Sequence, residues 1–357
     1  AMSANTWATI EDTVTGMSRQ VMTQGFTNYN TFVLDQNLKN NSFVDFLNTN
    51  YFMPTEGYTA NVTGTSFKFA NKKYTYALVG DAFASQKYYS HLAPEFGYHY
   101  SLSYGKIAGN YRFNYSQLLE TELYDPNDMG FNIINNRFKN TFSSQYNLYD
   151  PFWKVLNWYN YAQVSYNTLF NGLKFTSLEF YIESNTTTLK HLSMGANSNF
   201  SPIESHDYYE PRTEGWMYIA PAYGNLTNWI STDYRKKFAF DLSVSGYIAP
   251  KYNSSGYSIE ISPRYRISDR IFMSYELSYE NILNDVGFVD KTVDTLSNVT
   301  IYFGRRDRQT VTNILEANYM ITSAMSIDIR ARHYWVSAPY YDYTILQRNG
   351  TLTPAEY

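Results

Sequence analysis

The sequence of 357 residues contains no cysteine, which excludes disulfides, thiolate metal sites and cysteine nucleophiles. It has no run of about 18 apolar residues, so no transmembrane helix is expected. The five histidines are scattered without metal-ligand spacing, and no catalytic triad order or phosphate-binding loop is present. Only 17% of residues are charged, and the net charge of −4 argues against a nucleic-acid partner. We therefore expect no cofactor and no enzymatic activity.

Aromatic residues are abundant instead, at 18% of the chain with 37 tyrosines, and they alternate with polar residues. In the segment 257–267, Tyr257, Ile259 and Ile261 alternate with Ser258 and Glu260. Side chains of a strand alternate between its two faces, so this segment has one apolar and one polar face. Similar segments of 10 to 13 residues recur from residue 26 onward. Strands in soluble proteins average about 5–6 residues, whereas a tilted membrane-spanning strand needs about 9–11. The pattern predicts an all-β fold, a transmembrane antiparallel up-and-down β-barrel.

Sixteen strands are predicted, at 26–38, 42–53, 58–70, 74–86, 95–106, 110–123, 136–149, 156–169, 174–185, 189–200, 225–234, 238–250, 256–267, 271–281, 309–321 and 325–337. Short and long connections largely take turns, as periplasmic turns and extracellular loops do in such barrels. The long connections include 124–135, 201–224 and 281–308. Residues 1–25 are an N-terminal segment with a possible first strand, and 26–357 form the barrel domain. The first predicted strand begins, and the sixteenth ends, on the side of the long connections. Because both termini of such barrels normally lie on the other side, one more strand is predicted at each end, about 18 in a complete barrel. The domain is therefore expected to be incomplete at its C-terminal end.

Several motifs resemble a family of outer-membrane barrels of unknown function from Bacteroidota bacteria. They are LKNNSFV at 38–44, NVTG at 61–64, YDPNDMGF at 124–131, SHDYYEPR at 205–212, STDYRKKF at 231–238, FGRRDRQT at 303–310 and RARHYW at 330–335. In that family the barrel follows a module similar to family-9 carbohydrate-binding modules. The resemblance implies a location in the bacterial outer membrane and a role in glycan handling, but no established reaction. Relative to that family's pattern, we expect the carbohydrate-module segment and the final strands to be missing from this sequence.

The segment 204–216 is the densest candidate ligand site. Its assigned residues are Glu204, His206, Asp207, Tyr208, Glu210 and Trp216. Carboxylates hydrogen-bond to sugar hydroxyls while aromatic rings stack on sugar faces, so glycan binding is one interpretation. Two carboxylates held about 5–9.5 Å apart would also hydrolyse a glycoside. A third interpretation is a self-bonded lid that packs its tyrosines over the barrel mouth.

Three arginines, Arg305, Arg306 and Arg308, form the sharpest charge cluster. At the outer rim they would bind phosphates of lipopolysaccharide or an anionic polymer. They would equally pair with three acids that precede them in the same predicted loop, Asp285, Asp290 and Asp294. The sequence leaves both alternatives open.

The 124–131 motif offers a candidate Ca²⁺ site, because Asp125, Asn127 and Asp128 place oxygen ligands within four residues. The same residues form an ordinary Asx turn in many proteins. They lack the closing glutamate of a known calcium loop, and no other metal site is expected.

The alternation also assigns each strand residue to a face. The expected lipid-facing residues are Leu242, Val244, Ile259, Ile261, Met273, Leu277, Ile327 and Ile329. The expected lumen-lining residues are Glu260, Arg264, Arg266, Glu276, Glu280, Glu316, Arg330 and Arg332. If the turn pairs residue 321 with 325, Glu316 lies opposite Arg330 and forms an ion pair across strands. Such a ladder is a solvated lining, a plug contact or a selectivity filter.

The functional hypothesis is an integral outer-membrane β-barrel, without enzymatic activity, that serves as a channel, docking platform or glycan-associated receptor. One alternative is a structural subunit of a larger envelope complex. Another is a carbohydrate-active hydrolase that uses the 204–216 segment. The expected partners are outer-membrane lipid and lipopolysaccharide, with glycans and other envelope proteins as further candidates.

Overall fold

The computed structural model describes residues 1–356 and is all-β. The strands are β1 (Met2–Ser3), β2 (Thr6–Glu11), β3 (Ser18–Gln24), β4 (Thr27–Leu38), β5 (Ser42–Met53), β6 (Tyr58–Ala70), β7 (Tyr76–Tyr88), β8 (Glu95–Lys106), β9 (Tyr111–Glu120), β10 (Arg137–Leu148), β11 (Val155–Thr168), β12 (Phe175–Thr188), β13 (Ser193–Ser201), β14 (Ser205–Asp207), β15 (Tyr218–Ala220), β16 (Tyr223–Ser231), β17 (Phe238–Ala249), β18 (Ser254–Arg266), β19 (Ile271–Val293), β20 (Val299–Thr322), β21 (Met325–Ser337), β22 (Tyr340–Leu346) and β23 (Leu352–Pro354). Within residues 1–356, helical backbone is limited to 3-10 turns at Asn171–Leu173 and Pro250–Tyr252. No helix of this part of the chain is long and apolar enough to cross a membrane.

Nineteen of the strands form one large antiparallel sheet. Two small sheets of two strands each, β2 with β3 and β14 with β15, complete the fold. The predicted all-β antiparallel class is therefore confirmed. Closure of the strands into a transmembrane barrel stays a prediction.

The chain divides into two compact units, and the first contains residues 1–142 and 167–174. In this unit β4 to β9 pair in sequence order. The N-terminal segment does not supply one long strand, because Asp12 reverses the chain within it. Its Oδ1 accepts the N–H groups of Val14 (2.8 Å) and Thr15 (3.1 Å), and Gly16 follows with a φ of 66°. The result is the separate β2–β3 hairpin, while β1 pairs with the start of β4.

The second unit contains residues 143–166 and 175–357, of which the structure describes all but the last. Its strands β12, β13 and β16 to β21 pair in that order. All sixteen predicted strands are present in the two units. β5, β6, β8 and β21 have the predicted bounds, and most of the others differ from prediction by a few residues.

The hairpin of β19 and β20 corrects the predicted loop at 281–308. Both strands continue through this region and turn only at 294–298, where Asp294 Oδ1 accepts the N–H groups of Leu296 and Asn298, each at 2.8 Å. The run from Val299 to Phe303 is rich in β-branched and aromatic residues, which favour strands. Two register shifts, between Ile282 and Asp285 and between Phe288 and Asp290, bend the extension.

The register of β17 to β21 separates two chemically different faces. Leu242 lies opposite Ile261, which lies opposite Leu277, while Glu316 lies opposite Arg330. The eight residues expected to face lipid share one face, and the eight expected to line a lumen share the other. The strand register thus places the two sets on opposite faces of the sheet. What each face contacts stays a prediction.

A hydrophobic core forms among the connections of the second unit. We call it the loop core, and its buried members are Trp216, Tyr218, Ile301, Phe303 and Leu346. The extension of β20 supplies two of these side chains, and β22 supplies another by pairing with that extension. The predicted loops 201–224 and 281–308 are therefore packed structure rather than free loops.

The loop core can be tested with a matched pair of leucines. Leu346 is 1% exposed and Leu296 is 81% exposed. We expect Leu346→Ala to lower the local stability of β20 and β22 by about 2–5 kcal/mol, because it leaves a cavity. Leu296→Ala should change it by less than about 0.5 kcal/mol. Hydrogen exchange of the amides at 299–306 and 340–346 measures the effect, and equal protection in both variants would contradict a packed core.

Candidate functional site

Three carboxylates of the 204–216 segment, those of Glu204, Asp207 and Glu210, have partners within the protein. Glu204 forms an ion pair of 2.6 Å with Lys251. Asp207 Oδ1 accepts the N–H groups of Tyr209 (2.8 Å) and Glu210 (2.9 Å), which is an Asx-type turn. The Glu210 Oε1 accepts the N–H of Phe288 at 2.8 Å. These contacts make the segment a self-bonded structure, as the lid interpretation requires.

The aromatic residues of the same segment are partly or fully covered. Trp216 is only 6% exposed, and the Arg348 guanidinium lies 4.0 Å from the centre of its ring. The His206 ring meets Phe175 edge-on at 5.4 Å. Tyr208 is half-buried, and this burial raises the pKa of its hydroxyl. Trp216 thus presents no free face on which a sugar ring could stack.

Two arginines of the cluster, Arg306 and Arg308, are paired with neighbouring acids. Arg306 Nε lies 2.7 Å from Asp285 Oδ2 across the β19–β20 hairpin. Arg308 lies 3.3 Å from Glu280. Arg305 lies opposite Val286 in β19. Arg306 therefore pairs inside the protein with Asp285, one of the three acids expected from the sequence. Arg308 also pairs inside the protein, but with Glu280 of β19, which was not among those acids.

The charged face of β17 to β21 forms a ladder of ion pairs. Glu316 and Arg330 lie 3.1 Å apart, as the sequence predicted. Arg264 lies 3.0 Å from Asp241 on the neighbouring strand. A cavity of about 190 Å³ on this face is lined by both signs of charge, including Glu276 and the three ladder residues Arg264, Glu316 and Arg330. The face is polar, and Arg264, Glu316 and Arg330 on it each have a partner of opposite charge.

In the first unit, two of the candidate Ca²⁺ ligands, Asp125 and Asp128, contact a lysine. Lys87 Nζ lies 2.5 Å from Asp125 Oδ2 and 3.7 Å from Asp128 Oδ2. Tyr58 donates its hydroxyl to Asp128 at 2.9 Å. The Asn127 N–H donates to Asp125 Oδ1 at 3.0 Å, which is the expected Asx turn. Burial alone would raise the pKa of Asp125, but the hydrogen bonds from Lys87 and Asn127 lower it below its ordinary value.

The 121–136 connection packs directly onto β8. A Cβ atom at Gly97 would lie 2.2 Å from the Tyr124 Cα, so only glycine permits this approach. The Tyr124 ring stacks on His99 at 5.3 Å, and its burial raises the pKa of Tyr124 to about 12. The connection is held in place by close packing and by the Lys87 ion pair together.

A charge network at His99 was not anticipated from the sequence. Its Nε2 lies 2.7 Å from Asp81 Oδ2 and its Nδ1 lies 3.1 Å from Glu120 Oε1. Arg137 pairs with the second oxygen of Glu120. Asp81, His99 and Glu120 all occupy polar positions of their strands, but their meeting depends on the register of three strands. Residue spacing does not reveal this register, so the network could not be predicted from the sequence.

The fold and these contacts define an all-β protein with one large antiparallel sheet, a segregated polar face and packed connections. The chain belongs to the family described as a domain of unknown function (DUF5916), whose model matches residues 1–357. No curated protein and no solved structure matches the chain.

The Asp125 contact generates a pH prediction for the 121–136 connection. A carboxylate with a lowered folded pKa stabilises the fold above its unfolded value of about 3.9, and this contribution is lost as the pH falls through the folded value. A spin label on a single cysteine at Phe131 (85% exposed) reports the mobility of the connection. We expect mobility to rise below pH 4, by about fivefold in the mobile population for a contact of about 1 kcal/mol.

Two variants complete the pH experiment. Asp125→Asn should show the higher mobility already at pH 7, with a flat pH response. Asp35→Asn, which changes an exposed strand residue of the same unit, should behave like the parent protein. An unchanged pH response in Asp125→Asn would refute the assigned role of Asp125.

Proposed function

We propose that this chain is the β-barrel part of a bacterial outer-membrane protein. In this proposal the apolar face of β17 to β21 contacts lipid and the charged face lines an aqueous interior. The main support is the apolar face itself, where Ile327 is 48% exposed, Ile329 is 61% exposed and Val244 is 43% exposed. A contiguous apolar surface of this kind usually marks a lipid or partner interface.

Strand length supports the same proposal. β17 and β18 contain 12 and 13 residues. At about 3.3 Å per residue such strands extend about 40 Å, and a tilt of about 45° gives them a height of about 28 Å, close to the hydrocarbon thickness of a bilayer. Soluble sheets do not need strands of this length. The resemblance to Bacteroidota outer-membrane barrels is in line with this assignment.

Among the roles open to such a barrel, we propose a non-enzymatic docking platform at the end that carries the long connections. The loop core gives that end a fixed surface, since Phe303 and Ile301 are fully buried within it. Two acids that sugar hydrolysis could use already have partners, Lys251 for Glu204 and the Phe288 N–H for Glu210. The surface therefore favours envelope proteins or lipopolysaccharide as partners over a small sugar bound at Trp216.

A structural subunit of a larger envelope complex is the second candidate. Its support is β21, which pairs with β20 while twelve of its thirteen residues are exposed. An exposed strand of this length offers a template on which a strand of another polypeptide can pair.

The membrane assignment is tested by two neighbouring substitutions in β18. Ile261→Arg places a charge on the apolar face near the middle of the strand, which should cost about 2–4 kcal/mol in a bilayer. Ser262→Arg places the same charge on the polar face opposite Asp241 and should be tolerated. Urea unfolding from lipid vesicles, with heat-modifiable gel mobility as the folding check, measures both. If the two variants lose equal stability, the apolar face does not contact lipid.

A further inference from the structure

A cavity of about 210 Å³ lies at the end of the second unit's sheet where the connections are short. It is lined by Tyr234, Lys236, Lys237, Arg264, Arg266 and Phe272. Three chain segments meet here, because Ala239 pairs with Arg264 and Arg266 pairs with Phe272. The Arg266 N–H donates to the Lys237 carbonyl at 2.8 Å, which fixes the turn against the end of β18. We call this cavity the basic turn pocket.

Most of the positive charge in the basic turn pocket has no counter-charge. Arg264 pairs with Asp241, whose two oxygens also lie 2.5 and 2.6 Å from the Tyr234 hydroxyl. Among residues 1–356, no carboxylate forms an ion pair with Lys236, Lys237 or Arg266. Three cations therefore surround one cavity without neutralisation.

The local charge contrasts with the rest of the chain. The segments 233–241 and 264–272 carry six cationic side chains against three carboxylates, although the whole protein has a net charge of −4. The neighbouring cavity on the same face is different, since Glu276 and Glu316 accompany its arginines. The imbalance is thus specific to the basic turn pocket and is not a general property of the charged face.

The pocket also has an aromatic wall. The Tyr234 ring lies 4.3 Å from the Arg264 guanidinium carbon, which holds that side chain in a fixed position. Phe272 lines the cavity beside Arg266. Two flexible lysines provide point charges and Arg266 provides a planar set of donors, a combination suited to oxyanions such as phosphate.

We propose that the basic turn pocket binds a phosphate-bearing anion. This site lies apart from the 204–216 segment and from the arginine cluster at 305–308, and it does not depend on the docking role proposed above. Phosphate of a soluble compound and phosphate of an anionic lipid headgroup share this chemistry.

The test is calorimetry with inorganic pyrophosphate on the full chain in a non-ionic detergent at low salt. We expect saturable binding that weakens as sodium chloride is added, because the attraction is between charges. The variant Lys237→Gln with Arg266→Gln should bind about tenfold more weakly or worse. Arg235→Gln is the matched control, since it removes a cation from the same turn whose charge Asp233 already neutralises at 2.8 Å.

A second arm distinguishes the source of the phosphate. Vesicles of phosphatidylglycerol are compared with vesicles of phosphatidylcholine, with and without pyrophosphate as competitor. Pyrophosphate binding without preference for the anionic vesicles identifies a soluble ligand, whereas vesicle binding that pyrophosphate displaces identifies a headgroup. Absence of saturable binding to either probe, or an equal loss in Arg235→Gln, would overturn the proposal. Lys236→Gln alone, at an exposed position, gives a weaker version of the same test if the double variant does not fold.

Discussion

The register of the antiparallel ladders is the constraint on which the rest of the structure depends. A shift of one residue in any strand of β17 to β21 would move its whole apolar set to the charged face. The tight connection between β18 and β19, closed by the Ile271 N–H to the Ser268 carbonyl at 3.4 Å, helps to fix that register. Ion pairs such as Glu316 with Arg330 then form because register has already placed their partners opposite each other. Their own contribution to stability is small, since both side chains are exposed.

The same ladders explain why the long connections are ordered. β19 and β20 continue well beyond the region where their neighbours end, and this extension brings Ile301 and Phe303 together with Trp216. Burial of these side chains offsets the conformational entropy that the connections lose when they become ordered, about 1–2 kcal/mol per residue. Four charged side chains of this region, those of Glu204, Glu210, Arg306 and Arg308, are engaged by partners within the protein. Positive charge without a counter-charge lies instead beside a short connection, in the basic turn pocket, where Lys236, Lys237 and Arg266 line the cavity.

Much of the fold could be predicted from the sequence, because alternation is a local signal. β5, β6, β8 and β21 were bounded correctly, and the faces of Ile261 and Glu316 followed from parity alone. The extension of β19 and β20 was missed because its register shifts interrupt the alternation. The burial of Trp216 and the meeting of His99 with Asp81 and Glu120 depend on contacts distant in sequence. Residue spacing does not indicate contacts between residues that are distant in sequence. Candidate sites were therefore predicted less well than strands.

We propose that one face of β18 contacts lipid while the other contacts water. Because the chain has no cysteine, single cysteines can be introduced at each position from 257 to 266 and labelled with a fluorophore in reconstituted vesicles. We expect quenching to alternate with a period of two residues, with lipid-phase quenchers acting on labels at 257, 259, 261 and 265. Water-soluble quenchers should act on labels at 258, 260, 262 and 264. Equal access of the water-soluble quencher to all ten positions would show that β18 has no lipid-facing side.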